Sequence, residues 1–194
     1  TLGGNSDFWQ EYPFPLANIL WNYEALEEGQ KEQRYETLLE FFESLQIFLA
    51  TVILGAIHES SAYEDHKSLW KKKLRDDSLV NATWGTWATI YEISAKQIRS
   101  ELDSKDEDEA RTLDYWKRQF ACSNPNFLRV IVGKDLVSIL REANSGRNVL
   151  AHEGKRKSIK EAHLPDLEKL LERVKNTFKN YWDDYLLIEA GNSR

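Results

Sequence analysis

At 194 residues the chain is long enough to bury a full hydrophobic core without disulfide or metal staples, so one domain is expected. Hydrophobic residues at 41%, with seven Trp, and charged residues at 30% exclude a disordered chain. A formal net charge of -6 excludes broad, sequence-indifferent binding to nucleic acid, which relies on many Lys and Arg displacing counterions. A local basic site remains open.

Gly3-Gly4, Pro13 and Pro15 predict an irregular N-terminal segment over residues 1–15, with Phe8, Trp9, Tyr12 and Phe14 pinning it to the body. A short helix follows from Leu16 to Leu26, broken by Gly29. From Gln30 to Ile57, Tyr35, Leu38, Leu39, Phe42, Leu45, Leu49, Val52, Ile53 and Ala56 recur at steps of three and four, the mark of a long amphipathic helix. Phe48, Ile47 and Leu54 add apolar positions on its other faces, so it is expected at the centre, between several neighbours. Residues Glu64 to Arg75 read as a short, charged, peripheral helix anchored by Leu69, Trp70 and Leu74. Trp84, Trp87, Ala88, Tyr91, Ala95, Ile98 and Leu102 mark the next amphipathic helix, ending before the acidic run at 103–109, which reads as a solvated connection.

A helix through Leu113, Trp116 and Phe120 is stopped by Ser123-Asn124-Pro125-Asn126. Val130-Ile131-Val132 is read as helical or irregular, since one short strand would have no partner. Leu136, Ile139, Leu140, Ala143, Leu150 and Ala151 define a further helix, closed by Gly154. In the last helix Leu167, Leu170, Leu171, Val174, Phe178, Tyr181, Trp182 and Tyr185 share one face, with Pro165 in its first turn. The expectation is an all-α domain over residues 16–188, a bundle with additional peripheral helices, and a tail at 189–194.

The single Cys122 has no partner for an internal disulfide, and reads as a small buried hydrophobe. Four scattered His supply no zinc-ligand spacing, so no metal or other cofactor is expected and a reducing, cytoplasmic setting fits best. The most apolar run, Leu45 to Ile57, is 13 residues long and holds Gln46, so it reads as a buried core helix with no membrane role. The chain opens at Thr1 and contains no Met, which suggests a trimmed initiator or a domain of a longer polypeptide. Asp76-Asp77 lacks the glycine and alternation of a calcium loop, and His58, His66 and His163 read as surface or helix-end residues.

The segment suited to chemistry is Arg147-Asn148-Val149-Leu150-Ala151-His152. Five residues place Arg147 and His152 about 140° apart on a helix, whereas Asn148 and His152, one turn apart, share a face on which the amide can orient the imidazole. Gly146 leaves room for a backbone, a second helix or a phosphate. Lys155-Arg156-Lys157, with Lys160 one turn on, forms the densest late cluster of positive charge; Lys155, Arg156 and Lys157 read as charge balance at a helix end, with RNA contact the weaker alternative. Spacing alone favours a surface arginine and a histidine at the carbonyl end of its helix.

That segment matches the Arg-polar-x-x-x-His signature of HEPN domains, and the chain resembles this family of small helical bundles common in prokaryotic defence and toxin systems. The Pro15-Leu16-Ala17-Asn18 start, the long helix over 40–57 and Trp84-Gly85-Thr86-Trp87 also look like an N-terminal HEPN-like module of multidomain bacterial proteins, so the likeness covers most of residues 13–186. The resemblance implies metal-independent cleavage of single-stranded RNA by a homodimer, with Arg147, Asn148 and His152 of both chains in one cleft. RNA brings its own 2′-hydroxyl nucleophile, so the protein need only move protons and stabilise charge on the phosphate. An imidazole with a reference pKa of about 6.5 suits the first task, and a guanidinium fork suits the second. The alternative is a silent dimerisation or sensing module of a larger protein, tethered to a separate effector. Further domains or an antitoxin are the expected partners beyond RNA.

Overall fold

The structure, a computed structural model, describes residues 12–58, 60–74, 80–104, 109–153, 157–179 and 181; within these, the side chains of 109 and 148–153 lie outside the description. The described residues form α1 (Phe14–Ala25), α2 (Lys31–His58), α3 (Tyr63–Lys71), α4 (Trp84–Leu102), α5 (Glu109–Gln119), α6 (Pro125–Ile131), α7 (Lys134–Glu153) and α8 (Lys157–Phe178), with no strand among them. The fold is all-α, as the three-and-four spacing of apolar residues requires.

Helix α2 is the centre of the bundle. It packs against α1, α3, α4, α5, α7 and α8. Of the expected stripe, Tyr35, Leu38, Phe42, Leu45, Leu49, Ile53 and Ala56 are buried and Leu39 and Val52 half-buried, while Phe41, Gln46, Ala50 and Ile57 are buried on adjoining faces. By length and composition α2 is apolar enough to cross a membrane; here its apolar faces are met by those six helices, which accounts for the same composition.

The first turn of α4 is fixed by a reciprocal cap. Thr86 N donates to Thr83 Oγ1 at 3.4 Å and Thr83 N donates to Thr86 Oγ1 at 3.2 Å, so two otherwise orphan donors are satisfied at once. Helix α5 ends on Ala121, whose φ of 47° is left-handed, with Cys122 N donating to Lys117 O and Ala121 N to Arg118 O. This is the glycine-type helix stop made with an alanine. Asn124 therefore does more than end a helix: its side chain accepts from Asn126 N at 2.9 Å and, with Pro125 following, starts α6. The β-branched stretch at 130–132 is helical through Ile131. Gly133 then turns the chain into α7, and a Cβ there would stand 2.9 Å from the Val130 carbonyl oxygen, so the close approach demands glycine.

Several expectations need correction. Helix α8 begins at Lys157, so Pro165 lies well inside it and not in its first turn, on its exposed face. Of the N-terminal aromatics, Tyr12 is buried edge-on to Phe41 and Phe178 at 6.1 and 6.5 Å, but Phe14 is 82% exposed and pins nothing. Phe8 and Trp9, like Trp182, Tyr185, Asp76-Asp77 and the tail, lie outside the described residues. In α3 the buried anchors are Trp70, whose Nε1 donates to Ser94 Oγ at 3.0 Å, and His66. His66 is neither a surface nor a helix-end residue. It sits between Trp70 and Trp116, at ring separations of 6.1 and 6.3 Å. Cys122 is buried, as expected, and donates to Asn124 O.

Candidate functional site

Helix α7 carries the motif. Its first three turns bury Leu136, Ile139, Leu140 and Ala143 against the core, and its backbone stays helical through Glu153, so positions 147–152 occupy the final turns of one continuous helix. Positions 148 and 152 are thus one turn apart, as the spacing predicts. The side chains of Asn148 and His152 lie outside the described residues, as do Gly154, Lys155 and Arg156.

Arg147 is exposed, and its guanidinium carbon stands 5.6 Å from the centroid of the Trp84 ring. Trp84 is the first residue of α4 and only 1% exposed, its Nε1 hydrogen without an acceptor among the described residues. No carboxylate pairs with Arg147 among the described residues, in contrast to Arg34 with Glu168 at 3.0 Å, Arg141 with Glu92 at 2.8 Å and Arg173 with Glu142 at 3.0 Å. Arg147 thus stands at the surface with its only described side-chain partner an aromatic ring. The missed residue here is Trp84. Its place in the Trp84-to-Leu102 stripe marks it as core, and nothing in that spacing indicates which cation lies over its ring.

The neighbour of Gly146 is the Tyr35 side chain, whose hydroxyl oxygen would be 4.0 Å from a Cβ at that position. The space next to it is a cleft of about 420 Å³ between α7 and α8, reaching Tyr35 and Leu170 at its base and rimmed by Glu142, Arg173 and His163. The Tyr35 hydroxyl is buried without a hydrogen-bond partner among the described residues, and burial raises its pKa above the ordinary phenol value, with the Lys160 charge opposing. His163, to which the sequence assigns nothing, is half-buried in mid-helix on the rim of this cleft.

Of the basic cluster, Lys157 and Lys160 lie among the described residues, and each has its own carboxylate partners. Lys157 is exposed and reaches Glu161 at 3.8 Å. Lys160 is buried, and its Nζ donates to Glu32 and Glu36 of α2 at 2.6 and 2.5 Å. Those two hydrogen bonds hold the Lys160 pKa above the usual lysine value against its burial, and they draw the Glu32 carboxyl below its own. Lys160 therefore clamps α8 to α2 and is not free for a phosphate. Among the described residues no three His, Cys, Asp or Glu side chains come together as metal ligands.

Of the three residues singled out for catalysis, the described side chains thus place Arg147 alone: open, charged and seated on an indole. No protein-family model matches the chain, and neither a curated protein nor a solved structure does.

Proposed function

We propose that the chain is a metal-independent endoribonuclease of the HEPN type, acting on single-stranded RNA as a homodimer in prokaryotic defence or toxin activity. The observation that supports this reading best is Arg147, an exposed guanidinium without a carboxylate partner among the described residues, on the helix that carries Asn148 and His152. In this reading Arg147 binds the non-bridging oxygens of the scissile phosphate and stabilises the charge that grows on them. His152 takes the proton of the 2′-hydroxyl as that oxygen attacks phosphorus, and an imidazolium returns a proton to the departing 5′-oxygen. Asn148 orients the imidazole. The products are a 2′,3′-cyclic phosphate and a 5′-hydroxyl, and no water or metal ion enters the step.

Purified protein incubated with single-stranded RNA in EDTA tests the reading. Cleavage is expected to fall about 10²- to 10³-fold in Arg147→Ala, the usual loss for one donor to a developing oxyanion. His152→Ala is expected to lose about 10²- to 10⁴-fold, the range for a general acid or base. Cutting that continues unchanged in both variants rejects the assignment. A dimer that never cuts RNA leaves a dimerisation or sensing scaffold in its place.

A further inference from the structure

We propose that Trp84 is a positioning residue for Arg147, an aromatic seat that holds the guanidinium in place without consuming its charge or its donors; this rests on the nuclease reading of α7. The argument begins with how an arginine on an exposed helical turn can be fixed at all. Its stem has several free torsions, and locking them requires a partner for the head group. For Arg141 and Arg173 that partner is a carboxylate, for Arg99 the Val132 carbonyl, and for Arg34 both Glu168 and the Tyr23 ring. A carboxylate fixes the head but occupies its N–H groups and cancels its charge, so an arginine held that way is already spent when a phosphate arrives. An indole acts differently. Its negative face attracts the cation from above, and it offers no lone pair to the in-plane N–H groups, which remain directed outward.

The seat is itself immobile. Trp84 is 1% exposed, and it opens a helix whose start is locked by the reciprocal Thr83 and Thr86 hydrogen bonds. Helix α4 packs against both α7 and the central α2, so the indole and the backbone of Arg147 belong to directly packed elements. A donor fork fixed before substrate arrives does not have to be ordered in the transition state, which is the condition for electrostatic stabilisation to raise the rate. Trp84 thus acts through Arg147 and does not touch RNA in this scheme.

The test compares the unaltered protein with Trp84→Phe, which keeps an aromatic face, and Trp84→Leu, which removes it, each with and without Arg147→Ala. The first readout is the Nε–Hε signal of Arg147 in proton–nitrogen spectra, identified by its loss in Arg147→Ala, with the remaining signals reporting the folded state. The signal is expected to be ring-current shifted in the unaltered protein and in Trp84→Phe, and to return to the ordinary arginine position in Trp84→Leu. The second readout is turnover. Trp84→Leu is expected to lower kcat about tenfold, and Trp84→Phe less than about threefold, with KM nearly constant and no further loss in the Arg147→Ala background. An unshifted Arg147 signal in all three proteins overturns the proposal. So does a Trp84→Leu loss that is the same with and without Arg147, since that is the mark of a purely structural tryptophan. Should Trp84→Leu fail to fold, the Arg147 signal in Trp84→Phe and in the unaltered protein decides alone. Absence of cleavage by the unaltered protein overturns the nuclease reading. In that event the spectra, with the affinity for uncleavable 2′-O-methyl RNA, still decide whether Trp84 holds Arg147.

Discussion

His66 is a polar side chain in an apolar setting, fully buried and with neither ring nitrogen hydrogen-bonded among the described residues. Burial pushes its pKa below the ordinary imidazole value, and the charges of Glu101 and Asp65 recover only part of the shift. The folded protein thus keeps His66 neutral where the unfolded chain takes up a proton, near pH 6.5. The stability this provides is complete above that pH and is lost as pH falls from there toward the depressed folded value. Unfolding free energies from urea titrations at pH 7.5 and 5.5 should therefore fall more for the natural protein than for His66→Phe, by at most about 1.4 kcal/mol over that one unit below the unfolded pKa. Parallel falls would show that His66 is solvated or partnered after all. The residue was unreadable as core because a lone histidine in the charged α3 sequence looks like a surface one; Trp116, which closes over it, lies some fifty positions downstream. The pairing of Lys160 is hidden for the same reason: its two glutamate partners come from α2, far off in sequence.

Among elements, the long helices were the most legible. Periodicity alone delimits α2 and α4 to within a residue or two, because burial of one continuous face leaves a repeat that survives any detail of the neighbours. Ends were less so. Pro165 signals a first turn by its usual preference, yet α8 runs two turns further back, where Lys160 and Leu164 are buried. The Ser123-Asn124-Pro125-Asn126 segment reads as the stop of α5, whereas the chain turns already at Ala121, in a conformation that a Cβ disfavours. Ala121 is exposed, so its methyl group contributes little burial in exchange. Ala121→Gly is therefore expected to stabilise the protein by about 0.5–1 kcal/mol, the left-handed strain relieved less the added freedom of the unfolded glycine. A raised denaturant midpoint with an unchanged slope checks it; a lowered one shows that the turn relaxes without strain.

At the scale of the whole molecule, the proposed chemistry needs two copies of α7 around one phosphodiester, because Arg147 and His152 are splayed on a single helix. Sedimentation should give twice the 22.7 kDa chain mass. Mixing Arg147→Ala with His152→Ala chains should restore cleavage above that of either alone, since the mixed dimer holds one intact arginine and one intact histidine in the shared cleft. A monomer, or a mixture as inactive as its parts, would remove the shared centre. The sequence by itself determined the all-α class, the central helix and the position of the motif in the last turns of its helix, because these follow from local propensity and from the burial of repeating apolar faces. Only the tertiary structure decided that His66 is core, that Lys160 is a clamp between α2 and α8, and that Arg147 rests on Trp84. Each of these depends on groups separated by dozens of residues, and no spacing along the chain encodes which distant side chain a charge will meet.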